Sequence, residues 1–287
     1  KQQVWSRVQF SDLENRLDQA KSQHQSRQIQ VGADLKRSFN PSNQSRQTAG
    51  VMLSIGQTNS TLDSNSSVLT NQNRVSPEVQ AQQQAVGVYY THYTLNGEYV
   101  NTVAQWSQST AKTTRDISVG SQKTNTLSAS LQWGKPHKIR RSNWLLEPQV
   151  QVAVAHTQYQ SGSGNSSSLA ASDLTLLRGK IGGRATWNGE VPELSSRLTT
   201  GESDWRPTTV YLGAYIVQDI VVSQPSPSQL AAQDIELKEK PWAEWVAGVQ
   251  QPIREGSYLY GQVVYQRSFN GGARKGLGAN IGLRVNW

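Results

Sequence analysis

Apolar side chains recur at every second position through most of this chain, and polar side chains fill the gaps. In "RQIQVGADLKR", Ile29, Val31, Ala33 and Leu35 share one face, while Gln28, Gln30, Gly32, Asp34 and Lys36 share the other. Arg27 and Arg37 fall at the two ends of the apolar face, where long cations can snorkel toward an interface. "EPQVQVAVAHTQY" sets Val150, Val152 and Val154 against Glu147, Gln149 and Gln151. "LRGKIGGRATW" sets Leu177, Ile181, Ala185 and Trp187 against Arg178, Lys180 and Arg184. Charges confined to one face at a period of two describe a strand with one apolar and one wet side, not a helix. The chain also ends on this rhythm: Ile281, Leu283, Val285 and Trp287 alternate with Asn280, Gly282, Arg284 and Asn286.

The pattern predicts an all-β chain of about twelve strands, centred near residues 4–10, 24–36, 46–57, 84–95, 98–108, 122–134, 144–158, 175–188, 208–221, 240–252, 256–269 and 275–287. Asn96-Gly97 in "LNGEY" is a tight hairpin signal, and "PIREGS" is equally brief. "TNSTLDSNSSVLTNQNRVSPEVQ", "SGSGNSSSLAASD" and "QPSPSQLAAQD" are long and polar. Short turns at one end and longer loops at the other are the habit of a transmembrane β-barrel with up-and-down topology. "FNPSNQS" and the stretch from Gly189 to Arg206 then have to be unusually long turns on the short side. Gly and Pro are spread through the connections, so residues 1–287 read as a single domain with no linker.

A soluble β-sandwich also alternates, but strands nearer ten to thirteen residues are long for one, and inner faces carrying two or three charges cannot pack a dry core. The mean hydropathy of −0.60 does not decide against a membrane, because alternation averages a spanning barrel to a hydrophilic value. Nine Trp and ten Tyr against three Phe suit rings with one apolar side and one wet edge. Trp5, Trp106, Trp133, Trp144, Trp187, Trp245 and Trp287 mostly fall near the ends of apolar faces and are expected to form girdles. The net charge of +8 is compatible with nucleic acid, but Lys and Arg cluster only in Lys135–Arg141, which reads equally well as a basic turn beside a membrane. No signal peptide is visible, so an exported protein of this sequence is expected to be a processed fragment of a longer precursor.

The order of cues resembles the C-terminal translocator (β-domain) of monomeric autotransporters of type V secretion, such as pertactin-like and AIDA-like proteins. "VWSR" resembles the opening of the family's first strand. "GVYYTHYTLNGEYVNTVAQW" resembles its Gly-Tyr-Thr strand, tight turn and Tyr-Val-Asp-type strand, with Asn101 in the usual acidic place. "LLEPQVQVAVAHTQY" resembles its Glu-Pro strand, "LRGKIGGR" its Arg-Gly-Arg-Gly strand with Lys180 at one basic position, and "LYGQVVYQRSF" with "GANIGLRVNW" its last hairpin. Trp287 departs from the family's usual Phe but keeps an aromatic.

The resemblance implies an outer-membrane barrel that exports its own N-terminal passenger, acting as a monomer without cofactor or nucleic acid. It implies lipid, lipopolysaccharide, periplasmic chaperones and the barrel assembly machinery as partners. Ile281, Leu283, Val285 and Trp287 resemble the signal that machinery reads. The helix that threads the family's pore precedes the first strand; only "KQQ" stands there, so pore helix and passenger are expected to lie outside this chain. The alternative is a stand-alone outer-membrane pore, or a barrel enzyme of the surface-protease or esterase kind.

Enzyme signals are poor. His24, His92, His137 and His156 are scattered without metal-ligand spacing, there is no Cys, and neither a Gly-x-Ser-x-Gly elbow nor a phosphate loop is present. "SGSGN" reads as a loop tip. Some family members cut their passenger linker inside the pore, and nothing in the chain tests that. The register predicts that Asp34, Lys36, Glu147, Gln149, Gln151, Arg178, Lys180, Arg184, Glu244 and Arg284 face the lumen, and the resemblance adds Asn101. Such charges either solvate and pair across a wet interior or form a mixed-charge conduit. A barrel of about twelve strands leaves a narrow pore, between the filled interior of eight and the channel of sixteen.

Overall fold

A strand that is apolar on one side and polar on the other buries neither face alone, and pairing in a ring satisfies every backbone group while leaving no edge. The computed structural model takes this solution. It describes residues 3–17, 20–42, 44–64, 78–115, 118–161, 172–189, 208–223, 240–254, 257–269 and 274–286. The strands are β1 (Gln3–Leu17), β2 (Ala20–Asn40), β3 (Ser45–Ser64), β4 (Glu78–Tyr93), β5 (Tyr99–Arg115), β6 (Ser118–Gly134), β7 (His137–Lys138), β8 (Trp144–Tyr159), β9 (Ser172–Asn188), β10 (Thr209–Ser223), β11 (Trp242–Arg254), β12 (Ser257–Ser268) and β13 (Arg274–Asn286). Each long strand pairs antiparallel with its neighbours in sequence, β6 pairs with β8, and β1 pairs with β13, so twelve strands close into an up-and-down barrel. The two-residue β7 is an extra strand on the edge of β8.

The seam is long. β1 and β13 pair without interruption from Gln3 opposite Asn286 to Asn15 opposite Arg274. β1 therefore begins and β13 ends at one end of the barrel, here the terminal end, and β3, β8 and β10 finish at the other, the loop end.

Alternation decides which residues face where. Along β8, Trp144, Leu146, Pro148, Val150, Val152 and Val154 are exposed on the outside, while Glu147 and Gln149 are buried on the inside. Ile29, Val31, Leu53, Ile55, Val88, Leu127, Leu131, Ile181, Leu212 and Ile216 stand outside in the same way. The outer face is thus an apolar belt and the inner face a polar wall, the reverse of a soluble core.

Three expectations change. The strands are longer than the alternation suggested, reaching 21 residues in β2 and 20 in β3. They run past the apolar belt toward the loop end on Gln, Ser, Thr and Asn, as in "EVQAQQQ" of β4, where no hydrophobic rhythm marks a strand. "FNPSNQS" is a short connection, since Asn40 opposes Ser45, with Gln44 in the left-handed region at φ 47°. The third change is a β-bulge in β2: Asp34 opposes Gly50, yet Lys36 opposes Ala49, so Leu35 is the inserted residue. The insertion inverts the phase beyond it. Lys36, expected in the lumen, is exposed on the outer face, and Arg37, expected on the apolar face, turns inward against Asp34. The Asn96-Gly97 hairpin stands as read, with Gly97 at φ 77° and Thr94 N donating to Glu98 O at 2.8 Å. The stretch 190–206 lies outside the described residues.

Candidate functional site

The inner wall is built from polar side chains that partner one another along and across strands. Near the terminal end of the seam, Asp34 on β2 is fully shielded and accepts from the Tyr89 hydroxyl on β4 at 2.5 Å. Arg37 Nε lies 3.3 Å from the same carboxylate, and Arg284 Nη2 on β13 reaches it at 3.5 Å across β1. Arg284 also donates to Tyr258 Oη at 2.9 Å. Side chains of β2 and β13 are thereby tied across β1, which itself pairs with β13 through the backbone.

A second cluster centres on Glu147. Arg184 on β9 donates to it at 2.8 and 3.1 Å, and Tyr99 donates to it from β5 at 2.7 Å. Gln149 donates to Tyr99 Oη at 3.0 Å and accepts from the Tyr215 hydroxyl at 2.7 Å. Farther toward the loop end, Lys180 pairs with Glu244 across β10, its ammonium 4.1 Å from the centre of the intervening Tyr215 ring. Near the loop end, Arg178 grips Asp219 bidentately at 2.6 and 2.7 Å. Beside that pair, Arg274 stacks over the buried Trp242 ring at 4.0 Å.

Thus Asp34, Arg284, Glu147, Arg184, Gln149, Lys180, Glu244 and Arg178 all sit on the inner wall. They are gathered in pairs along it, not at one site. Gln151 faces a cavity of about 310 Å³ between the β5–β6 wall (Gln105, Ser128, Ser130) and the Lys180–Glu244 wall. Asn101 is half-buried and accepts from Thr91 Oγ1 on β4 at 3.0 Å. Lys36 stands apart, on the outside. At the chain end, Ile281 and Leu283 are exposed on the outer face and Val285 is half-buried, while Trp287 lies outside the described residues. Among the described residues no three His, Asp or Glu side chains gather as a metal site would require.

Sequence reasoning missed the inner aromatics. Trp5 was expected in a girdle, but its indole donates to Tyr89 Oη at 3.1 Å on the inside. Trp5, Tyr89, Tyr99, Tyr211, Tyr215 and Tyr260 each lie directly opposite a glycine: Gly32, Gly50, Gly134, Gly248, Gly182 and Gly282. Each ring lies flat over the neighbouring strand, where a Cβ on that glycine would collide with it. The available signal was phase: in "VYLGAYIVQD", Tyr211 and Tyr215 fall in step with Gly213, out of step with Leu212 and Ile216. Trp106, Trp144, Trp187 and Trp245 do stand exposed on the outer face. Trp133 is half-buried and donates to Glu98 beside the hairpin turn at 2.7 Å.

The transport unit of the Escherichia coli autotransporter AIDA-I superposes with a TM-score of 0.76 at 17% identity, covering 100% of this chain and 91% of that one. The β domain of the Bordetella autotransporter BrkA gives 0.70 at 17% identity, covering 100% and 99%. The translocator domain of NalP from Neisseria meningitidis gives 0.66 at 11% identity, covering 100% and 88%. At these identities the likeness is one of fold. No curated protein matches the chain. The family model of the autotransporter β-domain, however, matches residues 4–221, most of the chain. The chain belongs to the autotransporter β-domain family and is an integral barrel of the bacterial outer membrane that exports a passenger to the cell surface.

Proposed function

We propose that residues 1–287 act as one translocator domain whose passenger moves through the lumen, along a wall lined by Asp34, Asn101, Glu147, Gln149, Gln151, Arg178, Lys180, Arg184, Glu244 and Arg284. The observation that supports this is the pairing of the wall's carboxylates: Asp34 with Arg37 and Arg284, Glu147 with Arg184, Glu244 with Lys180, and Asp219 with Arg178. A wall whose charges answer one another offers a sliding polypeptide hydroxyls and amides but few naked charges to hold it. Folding of the passenger and insertion of the barrel supply the driving force, and the domain does no catalysis of its own.

Periplasmic chaperones and the barrel assembly machinery deliver the domain in this reading. The machinery recognises the outward residues of β13, Ile281, Leu283 and Val285, together with Trp287. The domain works as a monomer in lipid and lipopolysaccharide, and its pore helix and passenger belong to other segments of the precursor. Fusing a protease-sensitive reporter ahead of Lys1 tests the route. Ser128→Trp with Ser130→Trp narrows the cavity facing Gln151 and should stall the reporter while the barrel still folds. Undiminished surface display from that variant would refute passage through the lumen.

A further inference from the structure

The outer belt is not uniform. On β8–β13 it sinks into a trough of about 770 Å³, floored by small residues (Gly183, Ala185, Ala214 and Ala247) and walled by Trp245, Tyr265 and Leu277. Trp245 and Tyr265 stack with ring centroids 5.7 Å apart at 28°. Tyr265 and Leu277 oppose one another, and one outward position farther toward the loop end Arg267 opposes Lys275. Both cations are exposed. Like charges directly opposite across a strand pair repel, yet among the described residues neither makes a hydrogen bond or ion pair.

The surroundings deepen the imbalance. On its other flank Lys275 opposes Glu14 of β1, but that carboxylate is held by Arg16 at 2.8 Å and Lys21 at 3.2 Å. Asp12, opposite Leu277, is held by Gln23 at 3.1 Å. Arg16 opposes Lys21 in turn. Four outward cations thus gather around two engaged carboxylates at the first polar level beyond the apolar belt.

We propose that this is a binding site for an anionic membrane lipid, with a phosphorylated headgroup between Arg267 and Lys275 and an acyl chain in the trough below them. A phosphate relieves the repulsion of the opposed cations and accepts charge-assisted hydrogen bonds from the guanidinium. The trough is apolar and lies within the belt, where lipid chains are the surrounding medium. Because the longer connections of such barrels face outward, the loop end places the site in the outer leaflet, where phosphorylated sugar lipids reside.

The test uses the full chain refolded in detergent, exchanged against diphosphoryl lipid A or phosphatidylcholine and read by native mass spectrometry. Wild type should retain lipid A in preference to the zwitterionic lipid. Arg267→Gln with Lys275→Gln should weaken that preference on the order of tenfold or more, and Ala214→Leu with Ala247→Leu should lower retention of both lipids. Lys112→Gln with Lys123→Gln removes outward cations on β5 and β6, on the wall away from this trough, and should change nothing. Heat-modifiable migration verifies folding of each variant, and surface display of a fused reporter separates failure here from failure of the export reading. A wild type without preference, an Arg267/Lys275 variant that keeps it, or an equal loss from the Lys112/Lys123 variant overturns the proposal.

Discussion

Replacing single residues of β8 by Arg turns the alternation into a measurable gradient. The outward apolar residues run from Trp144 to Val154, and beyond them the outward phase turns polar at His156 and Gln158. At about 3.4 Å per residue and a tilt of about 40°, that run covers about 26 Å along the barrel axis, which matches a hydrocarbon band of about 25 Å. Val150 then lies about 3 Å from the midplane, Val152 about 8 Å and Val154 about 13 Å, at the edge. Arg at the midplane of a barrel's lipid face costs about 2–4 kcal/mol and near the interface about 0–1 kcal/mol. Val150→Arg should therefore cost about 3 kcal/mol, Val152→Arg about 2 kcal/mol and Val154→Arg less than about 1 kcal/mol.

Gln151 stands between Val150 and Val152 but faces the cavity, directly opposite Lys180. Gln151→Arg meets that like charge in a wet space beside Glu244, and should cost less than about 1 kcal/mol. Reversible urea unfolding in phosphatidylcholine vesicles, followed by tryptophan fluorescence, gives all four values. Equal costs at Val150 and Gln151, or a larger cost at Val154 than at Val150, would refute the assignment of faces and depth.

Single-tryptophan variants carrying Trp106, Trp144, Trp187 or Trp245 should be quenched by bromines placed near the lipid headgroups, whereas Trp5 and Trp242 should resist bromines at every depth. Arg284→Met leaves the shielded Asp34 with Arg37 as its one cation beside the Tyr89 hydroxyl and should destabilise the barrel in urea by about 2–3 kcal/mol, below the 3–5 kcal/mol of a fully orphaned buried charge; an unchanged midpoint would deny the seam its side-chain tie. Deleting Trp287 should deplete the protein from outer membranes yet leave refolding in detergent intact, because a recognition signal rests on a few anchor side chains. Asn280→Ala, on the inward phase of the same strand, is the control; normal outer-membrane levels after the deletion would reduce the alternating end to a structural strand.

The class of fold was legible because its cause is written locally. A strand with lipid on one side and water on the other must alternate, and Val150, Val152 and Val154 against Gln149 and Gln151 do so without reference to anything distant. Strand length was less legible, since the Gln- and Ser-rich extensions of β2 to β6 need only backbone pairing and carry no contrast between faces. The bulge at Leu35 was invisible for a different reason: "GADLKR" alternates equally well with or without an inserted residue, and only the register against β3 shows that Asp34 and Arg37 share a face. Partnerships such as Arg184 with Glu147 were beyond reach, because they depend on which strands are neighbours and by how many residues they are staggered. The inner aromatics were misjudged from composition, as rings of a kind that suits an interface also suit the face of a glycine across a wet wall.

The two walls of the barrel divide the space unequally. On β8 to β13 the inward phase carries Glu147, Lys180, Arg184, Tyr211, Tyr215, Trp242, Glu244, Tyr258, Tyr260 and Arg284, and the outward phase of the same strands holds the small residues that floor the trough. On β3 to β6 the inward phase is lighter: apart from Tyr89 and Tyr99, small residues such as Thr48, Ser54, Ala85, Gly87, Ser107, Ser128 and Ser130 face in, and Leu53, Ile55, Val86, Val88, Trp106, Leu127 and Leu131 face out. A ring of strands fixes the radius of the backbone, so bulky inward side chains on one wall take room from the lumen and small ones on the other leave it. The axis of free space is therefore displaced toward β5 and β6, where the cavity meets Gln105, Ser128 and Ser130. A polypeptide in the lumen would slide against short hydroxyl side chains on that wall, with the paired charges of β8 to β11 facing it from the other, held by their own partners.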